Sequence, residues 1–223
     1  MATCIRFTRP LSLLTACLIL CAVCASASAD EEYIRIVKVE EFWSLSVGEP
    51  NTERNAPQVS MVMSPTYNAD SYYFVYLLNH KMEPDYAANG MQVLLKYGDQ
   101  KQPVETRNGP QGNPLVIDDE IVTWKQSMTL SGGNVTFEIS DGHSESWGNF
   151  GGQGYLRSTV STGQWSLNNY RPGVSLTESG IGFAGNRVTS LTLTKIRWTD
   201  QYGNQYVREA PFDIDTDLDP WEE

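Results

Sequence analysis

Residues 33–210 predict an all-β fold, an antiparallel sandwich of two sheets. Apolar and polar residues alternate with a period of two in one segment after another, which is the pattern of strands with one buried face. No window of a dozen residues carries a clean helical stripe with a period of 3.6. Turn signals that contain glycine separate the segments, for example at Asp141-Gly142 and Thr162-Gly163. Many short strands joined by turns are typical of a sandwich.

Nine strands are predicted in this region. The segment 59–63 has apolar residues at its odd positions, and 135–139 alternates strictly, so each offers one face to a core. The segment 72–78 is apolar on both faces, which predicts a place in the centre of a sheet. One helix of one or two turns is predicted at 84–88, because a proline can begin it and Asn89-Gly90 can end it. The predicted strands are 33–47, 59–64, 71–79, 91–97, 121–130, 135–139, 155–160, 187–199 and 205–209.

Two of these strands break their own pattern. In 121–130 the even positions form the apolar face, but Gln126 interrupts it. In the eighth strand the apolar positions switch from odd, at Leu193, to even, at Ile196. A regular strand cannot keep both residues on one face, so a β-bulge is predicted near Thr194-Lys195.

Residues 1–29 are predicted to be a secretory signal peptide. Arg6 and Arg9 precede an apolar run at 11–23, and small residues in an A-x-A cleavage pattern follow at 25–29. The apolar run is shorter than the ~20 residues that a membrane-spanning helix needs. We therefore expect a protein without a membrane span, located in the periplasm or outside the cell.

An alternative interpretation of this segment is a lipid anchor. Leu14-Thr15-Ala16-Cys17 resembles the lipobox that bacterial lipoproteins carry before a lipid-modified cysteine. The apolar run continues past Cys17 and an A-x-A site follows, which favours cleavage after Ala29. All four cysteines lie within residues 1–29, so no disulfide is expected in the mature chain.

The remaining chain is expected to form a sandwich domain at 30–211 and an acidic tail at 212–223. The formal charge is −11, and it becomes −13 when Arg6 and Arg9 leave with the signal peptide, since no acid leaves with them. A chain this acidic lacks the basic footprint that nucleic acid requires, so nucleic acid is excluded as a partner.

A glycine-rich loop followed by a long hairpin closes the predicted domain. Gly180-Ile181-Gly182-Phe183-Ala184-Gly185 matches a G-x-G-x-x-G pattern, but the residues that follow predict a strand instead of the helix that a dinucleotide needs, so no such cofactor is expected. This loop and the hairpin at 187–209 resemble the end of concanavalin A-like and jelly-roll sandwiches. The resemblance implies the fold of lectins, carbohydrate-binding modules and some glycosidases.

Aromatic residues with neighbouring amides predict a carbohydrate-binding surface. Two loop-like stretches combine rings, amides and glycines; a sugar ring stacks on an indole or phenol while amides satisfy its hydroxyl groups. The alternative is that these rings belong to the core, as we expect for Trp43, Trp124 and Trp198 on apolar strand faces. The predicted binding residues are Trp147, Asn149, Trp165, Asn169 and Tyr170.

Carboxylates offer a second hypothesis, a glycoside hydrolase or lyase of sandwich fold. Such enzymes need two acids at a fixed separation across a cleft, and the nearest cluster is Glu138, Asp141 and Glu145. Sandwich glucanases carry an E-x-D-x-x-E type run on one strand, from which Glu138-Ile139-Ser140-Asp141 departs. A solvated acidic hairpin is the alternative interpretation. A third hypothesis is a structural envelope protein without a small ligand.

The sequence contains few residues that could form a metal site. His80 and His143 are the only histidines, which leaves too few ligands for a zinc site or a histidine-based triad. Asp213, Asp215 and Asp217 alternate in the tail and could bind calcium, but the spacing of an EF-hand loop is absent, and a solvated acidic tail is the alternative.

Overall fold

The computed structural model describes residues 33–49, 59–80, 90–98, 100, 105–108, 115, 117–181 and 188–214. The predicted signal peptide, the predicted helix at 84–88, residues 182–187 of the glycine-rich loop and the tail after Ile214 lie outside the described residues. Within them the elements in chain order are β1 Ile36–Val47, β2 Val59–Met63, β3 Tyr72–His80, β4 Gly90–Tyr97, β5 Glu105–Asn108, β6 Glu120–Ser131, β7 Asn134–Ser144, β8 Gly148–Phe150, β9 Arg157–Ser161, α1 Pro172–Glu178, β10 Gly180–Ile181, β11 Val188–Asp200 and β12 Gln205–Ile214.

The strands form two antiparallel sheets. The large sheet has the order β12-β11-β1-β6-β7-β8, with β9 also paired to β7. The small sheet has the order β10-β2-β3-β4-β5, and β3 lies at its centre, as the two-sided apolar pattern of this strand predicts. These pairings confirm the predicted all-β sandwich.

The core fills the space between the two sheets. Phe74 of the small sheet stacks on Phe137 of the large sheet, with ring centroids 5.1 Å apart. Tyr76 packs edge-on against Trp124 at 5.6 Å, and Trp124 in turn stacks on Trp43 at 6.4 Å. Trp43 and Trp124 are buried, which confirms them as core residues, and Trp198 packs against the core while partly buried.

The predicted bulge lies at Thr194. In the pairing of β1 with β11, Phe42 lies opposite Lys195 and Trp43 lies opposite Leu193, so Thr194 is an extra residue. The pairing of β11 with β12 is irregular at the same place, but there the extra residue lies on β12, since Leu193 pairs with Phe212 and Lys195 with Glu209. The Thr194 hydroxyl donates a hydrogen bond to the Phe42 carbonyl at 2.9 Å, which gives the extra residue a partner on β1.

A polar group in the core explains the interruption at Gln126. Its side-chain amide is fully buried and donates to Oε2 of Glu41 at 2.6 Å. Helix α1, which the sequence patterns did not predict, reaches the same carboxylate through the Ser175 hydroxyl. The helix is seven residues long and begins at Pro172, a position where proline costs no hydrogen bond. No helix of the described residues is long and apolar enough to cross a bilayer.

Candidate functional site

Several loops meet at one end of the sandwich, where β1 begins, β6 turns into β7 and β11 turns into β12. We call this region the aromatic end, and it comprises segments 64–71, 97–98, 131–134, 161–170 and 200–205. Segment 161–170 is its centre. The Thr162 amide donates to the Gly133 carbonyl at 2.9 Å, and the Leu167 amide donates to the Ile36 carbonyl at 2.7 Å, so this segment joins β9 to the start of β1.

Further hydrogen bonds join neighbouring segments at this end. The Gly98 amide donates to the Ser71 carbonyl at 2.8 Å, which brings segments 64–71 and 97–98 together. The backbone amide of Arg35, just before β1, donates to Oε1 of Gln201 at 2.6 Å. The Tyr72 hydroxyl of the small sheet donates to Gln164 of segment 161–170, so loops of both sheets meet here.

Four exposed aromatic rings lie on the segments of the aromatic end. Trp165 is 59% exposed, and Tyr67, Tyr97 and Tyr202 are 68%, 37% and 57% exposed. Trp165 is the one tryptophan among the described residues that belongs to the exposed class. Large exposed rings that cluster are typical of binding surfaces, since a monomer gains no stability from leaving them in water.

The polar residues of the aromatic end are mainly uncharged amides and hydroxyls. Its segments contain Asn68, Asn134, Gln164, Asn168, Asn169, Gln201, Asn204 and Gln205. Their charged residues are Asp70 and Asp200, and they contain no lysine or arginine. Asp200 accepts hydrogen bonds from the backbone amides of Tyr202 and Asn204, both at 2.9 Å, and so shapes the turn between β11 and β12. The surface is therefore suited to uncharged polar groups rather than anions.

Trp165 lies between two anchored parts of its segment. On one side, Oε1 of Gln164 accepts a hydrogen bond from the Tyr72 hydroxyl at 3.0 Å. On the other side, Leu167 is buried and Oδ1 of Asn168 accepts from the Ile36 amide at 2.8 Å. The exposed ring is consequently carried by a short stretch with fixed ends.

Tyr170 and Asn169 follow this stretch in different environments. Tyr170 is 3% exposed; its hydroxyl donates to Oε1 of Glu41 at 2.5 Å, and its ring packs edge-on against Trp198. Burial, together with the neighbouring Glu41 carboxylate, holds the pKa of Tyr170 well above its usual value. Tyr170 therefore anchors the segment to the core, whereas Asn169 is exposed beside it.

Trp147 and Asn149 lie at the opposite end of the sandwich. The Ser146 amide donates to Glu120, the first residue of β6, at 2.7 Å, which fixes the position of this turn. Trp147 is 8% exposed and packs edge-on against Phe150 at 5.9 Å, so it is a core residue and offers no open face for stacking. Asn149 is exposed, and its Oδ1 lies 2.9 Å from Nδ1 of His143.

The burial of Trp147 has a local cause. The Phe150 ring lies flat against Gly142, where an added Cβ would fall 2.2 Å from ring carbons. This close approach places β8 against β7, and Trp147 packs on the edge of the same Phe150 ring. The two aromatic stretches that the sequence predicts as one surface are thus separated by the length of the sheet.

The three candidate catalytic carboxylates are spread along β7. Glu138 points to the outer face of the large sheet, and Asp141 is exposed in a left-handed conformation with φ 51°. Nζ of Lys125 lies 2.7 Å from Oδ2 of Asp141. Glu145 follows β7 at the opposite end, and seven positions of extended chain place it roughly 20 Å from Glu138, beyond the ~5 to 9.5 Å of a glycosidase pair.

Calcium ligation finds no support among the described residues. Asp213 lies on β12, while Asp215 and Asp217 lie outside the described residues. Within the described ranges, no group of three or more histidine, cysteine, aspartate or glutamate side chains could hold a metal ion.

The sequence patterns missed three exposed rings of the aromatic end. Tyr67, Tyr97 and Tyr202 each lie next to a turn residue, namely Asn68, Gly98 and Gly203. An aromatic residue at a turn is a signal that could have found each of them. Their gathering depends on strand order, which local patterns do not carry.

Comparison of the chain with protein-family models, with curated proteins and with solved structures gives no match. The geometry of the aromatic end is therefore the basis for a functional assignment.

Proposed function

We propose that this chain is an exported, non-catalytic β-sandwich that binds carbohydrate on an extracellular polymer or surface through the aromatic end. The observation that carries the proposal is the exposed Trp165 ring, together with three exposed tyrosines at the same end. Indole and phenol rings bind the apolar face of a sugar ring and bury area that water would otherwise cover.

The polar composition of the aromatic end narrows the ligand class. Amide side chains can donate and accept, so they pair with hydroxyl groups in either direction. Asp70 and Asp200 lie at this end together with Arg35 and Arg171, whose guanidinium donates to the carbonyls of Asn168 and Tyr170, while the whole chain carries −11. The net charge of the chain repels anionic polymers. Neutral polysaccharides are therefore the expected ligands.

The alternatives have less support. A hydrolase needs two convergent acids, whereas Glu138 and Glu145 lie far apart along β7 and Lys125 pairs with Asp141. Burial lowers the pKa of Lys125, but the hydrogen bond with Asp141 and the attraction of Glu40 raise it overall, so Lys125 remains a cation. A purely structural protein has no use for the exposed rings. Export is included because residues 1–29 have the pattern of a signal peptide.

The test is retention of the exported protein on cellulose, chitin and xylan, with anionic alginate for comparison. Trp165→Ala should reduce retention on at least one neutral polysaccharide by about tenfold or more, because truncating an exposed ring at the centre of a binding surface costs about 2 kcal/mol. The matched control is Ile121→Ala, since Ile121 is 56% exposed at the opposite end of β6.

The outcomes separate the three hypotheses. Retention that Trp165→Ala loses and Ile121→Ala keeps supports carbohydrate binding at the aromatic end. Release of reducing sugar would favour the hydrolase instead. No retention on any of the polysaccharides, or equal retention of the Trp165→Ala variant, would overturn the proposal.

A further inference from the structure

Tyr72 lies beneath the aromatic end and contacts two of its segments. It is the first residue of β3 and is 8% exposed. Its hydroxyl donates to Oε1 of Gln164, the residue directly before Trp165. Its ring lies tilted against the ring of Tyr97, with centroids 6.1 Å apart. The buried Tyr72 side chain thus contacts Gln164, the neighbour of the exposed Trp165, and also contacts the exposed ring of Tyr97 itself.

The Tyr72 hydroxyl is placed to act as a lasting hydrogen-bond donor. Burial raises the pKa of Tyr72, against a smaller opposite effect from Thr162. The phenol therefore keeps its proton at any ordinary pH. Thr162 also accepts a hydrogen bond from the Gln164 amide at 3.1 Å, so backbone and side chain of Gln164 are both held.

The far side of Trp165 has its own attachment to β1. Leu167 is buried, and the Ile36 carbonyl accepts its amide hydrogen at 2.7 Å. Only Trp165 and Ser166 lie between the two attachments. Loss of the Tyr72 hydrogen bond would weaken the attachment on the Gln164 side of Trp165.

We infer that Tyr72 is a positioning residue of the carbohydrate surface, which holds Trp165 through Gln164 and holds Tyr97 through ring contact. Two exposed rings, one at the end of β4 and one on a loop, then keep a fixed spacing, which matches a repeating polymer without the entropy cost of ordering the rings on binding. This inference rests on the proposed function.

The experiment compares Tyr72→Phe with Tyr155→Phe. The first change removes the hydroxyl and keeps the ring against Tyr97. The second is a matched control, because the Tyr155 hydroxyl also holds a loop, accepting from the Gly151 amide at 2.7 Å, but over the middle of β7. Retention on cellulose, chitin and xylan is measured for each variant. The ¹⁹F spectrum of protein labelled with 5-fluorotryptophan is recorded alongside, with the Trp165 signal assigned by Trp165→Phe.

Tyr72→Phe is expected to weaken retention by about threefold to tenfold, the effect of one hydrogen bond. It should also shift or broaden the Trp165 fluorine signal and leave the signals of the buried tryptophans in place. Tyr155→Phe should change neither quantity. Gln164→Leu should reproduce the loss, whereas Gln164→Glu, which keeps an acceptor for the Tyr72 hydroxyl, should restore retention and the fluorine signal.

The results distinguish this inference from the proposed function. If Trp165→Ala abolishes retention while Tyr72→Phe leaves retention and the Trp165 signal unchanged, the positioning role is wrong and the function stands. If the unmodified protein is retained on no polysaccharide, the function is wrong. The fluorine signal then still decides whether Tyr72 positions Trp165.

Discussion

Glu40 and Glu41 are neighbours on β1, and both are buried, yet the fold surrounds their carboxylates with opposite kinds of partner. Glu40 points to the outer face of the large sheet and lies among the cations Lys38, Lys125 and Arg197. Glu41 points between the sheets, and its carboxylate accepts hydrogen bonds from the neutral side chains of Trp43, Gln126, Tyr170 and Ser175. Successive residues of a strand face opposite sides, so one step along the chain separates the two environments.

The partners of Glu41 come from four parts of the chain. Trp43 and Gln126 donate to Oε2 at 2.9 and 2.6 Å, while Tyr170 and Ser175 donate to Oε1. Burial raises the pKa of Glu41, and these hydrogen bonds oppose the rise without cancelling it. A buried carboxylate without a cation therefore remains costly to ionise even when both oxygens are satisfied.

The partners of Glu40 lead to the opposite result. Burial would raise its pKa, but hydrogen bonds from Arg197 and Lys38 and the attraction of Lys38 and Lys125 lower it to about 2. Nε of Arg197 lies 2.5 Å from Oε2, and Nζ of Lys38 lies 2.9 Å from Oε1. The comparison teaches that cations outweigh burial at Glu40, whereas neutral donors do not outweigh the deeper burial of Glu41.

The two sites also hold different parts of the fold. Glu40 joins three adjacent strands, since Lys125 lies on β6 and Arg197 on β11. Glu41 instead holds Tyr170 and Ser175, which brings the chain after Trp165 onto the core. The buried carboxylate is thus part of the support of the aromatic end, whereas the outer ion-pair cluster supports the sheet alone.

The largest expected effect is that of Glu41→Leu. The change removes the acceptor from four donors at once, and all four are buried side chains: Trp43, Gln126, Tyr170 and Ser175. Because each unpaired buried donor costs about 1 to 3 kcal/mol, the free energy of unfolding should fall by about 3 to 5 kcal/mol. Denaturant unfolding at pH 7 measures this loss. Glu41→Gln, which keeps the shape and one acceptor oxygen, is the control and should cost less; a loss below about 1 kcal/mol for Glu41→Leu would contradict the account.

A smaller effect is expected for Glu40→Gln. Hydrogen bonds to charged groups contribute about 1.5 to 3 kcal/mol, and the partly exposed cations reduce this, so a loss of about 2 kcal/mol is expected. The loss should shrink when sodium chloride is raised from ~0.1 to ~1 M, because salt screens the cations on the outer face. The loss caused by Glu41→Leu should stay the same in both salts. An equal response of both variants to salt would remove the distinction between the two sites.

Sequence patterns predict the strands of this fold better than the tertiary contacts between them. The bulge at Thr194 is predictable because the change from odd to even apolar positions is visible in the letters. The interruption at Gln126 is equally visible, but its partner Glu41 lies 85 positions away and belongs to another strand. Alternation along the strand places Glu41 on the same core face as Trp43. A charged residue at a core position was therefore the one local signal that a buried polar cluster forms there.

The candidate site is less predictable for a physical reason. Trp147 and Trp165 occur in similar loop-like sequence, and one is buried while the other is exposed. Trp147 packs against Phe150, which lies on Gly142 where β8 pairs with β7, and this contact between strands is not visible in the local sequence. Separation of the two loops to opposite ends follows from strand order, which depends on contacts across the whole chain.

The smallest expected effect is the way in which the contributions of Glu40 and Glu41 to stability change with pH. The folded pKa of Glu40 is about 2, below its ordinary value of 4.5, so its contribution to stability is present above pH 4.5 and is lost as pH falls toward 2. The folded pKa of Glu41 is raised, so its contribution is complete below pH 4.5 and is lost as pH rises through the folded value.

Unfolding free energies of the unmodified protein, Glu40→Gln and Glu41→Gln across this pH range test both signs. The advantage of the unmodified protein over Glu40→Gln should shrink by up to about 1 kcal/mol per pH unit on acidification below pH 4.5. Its advantage over Glu41→Gln should shrink instead as pH rises above 4.5, because ionised Glu41 has no cation while glutamine is neutral throughout. If the difference in unfolding free energy changed with pH in the same direction for both variants, the opposite pKa shifts assigned to Glu40 and Glu41 would be wrong.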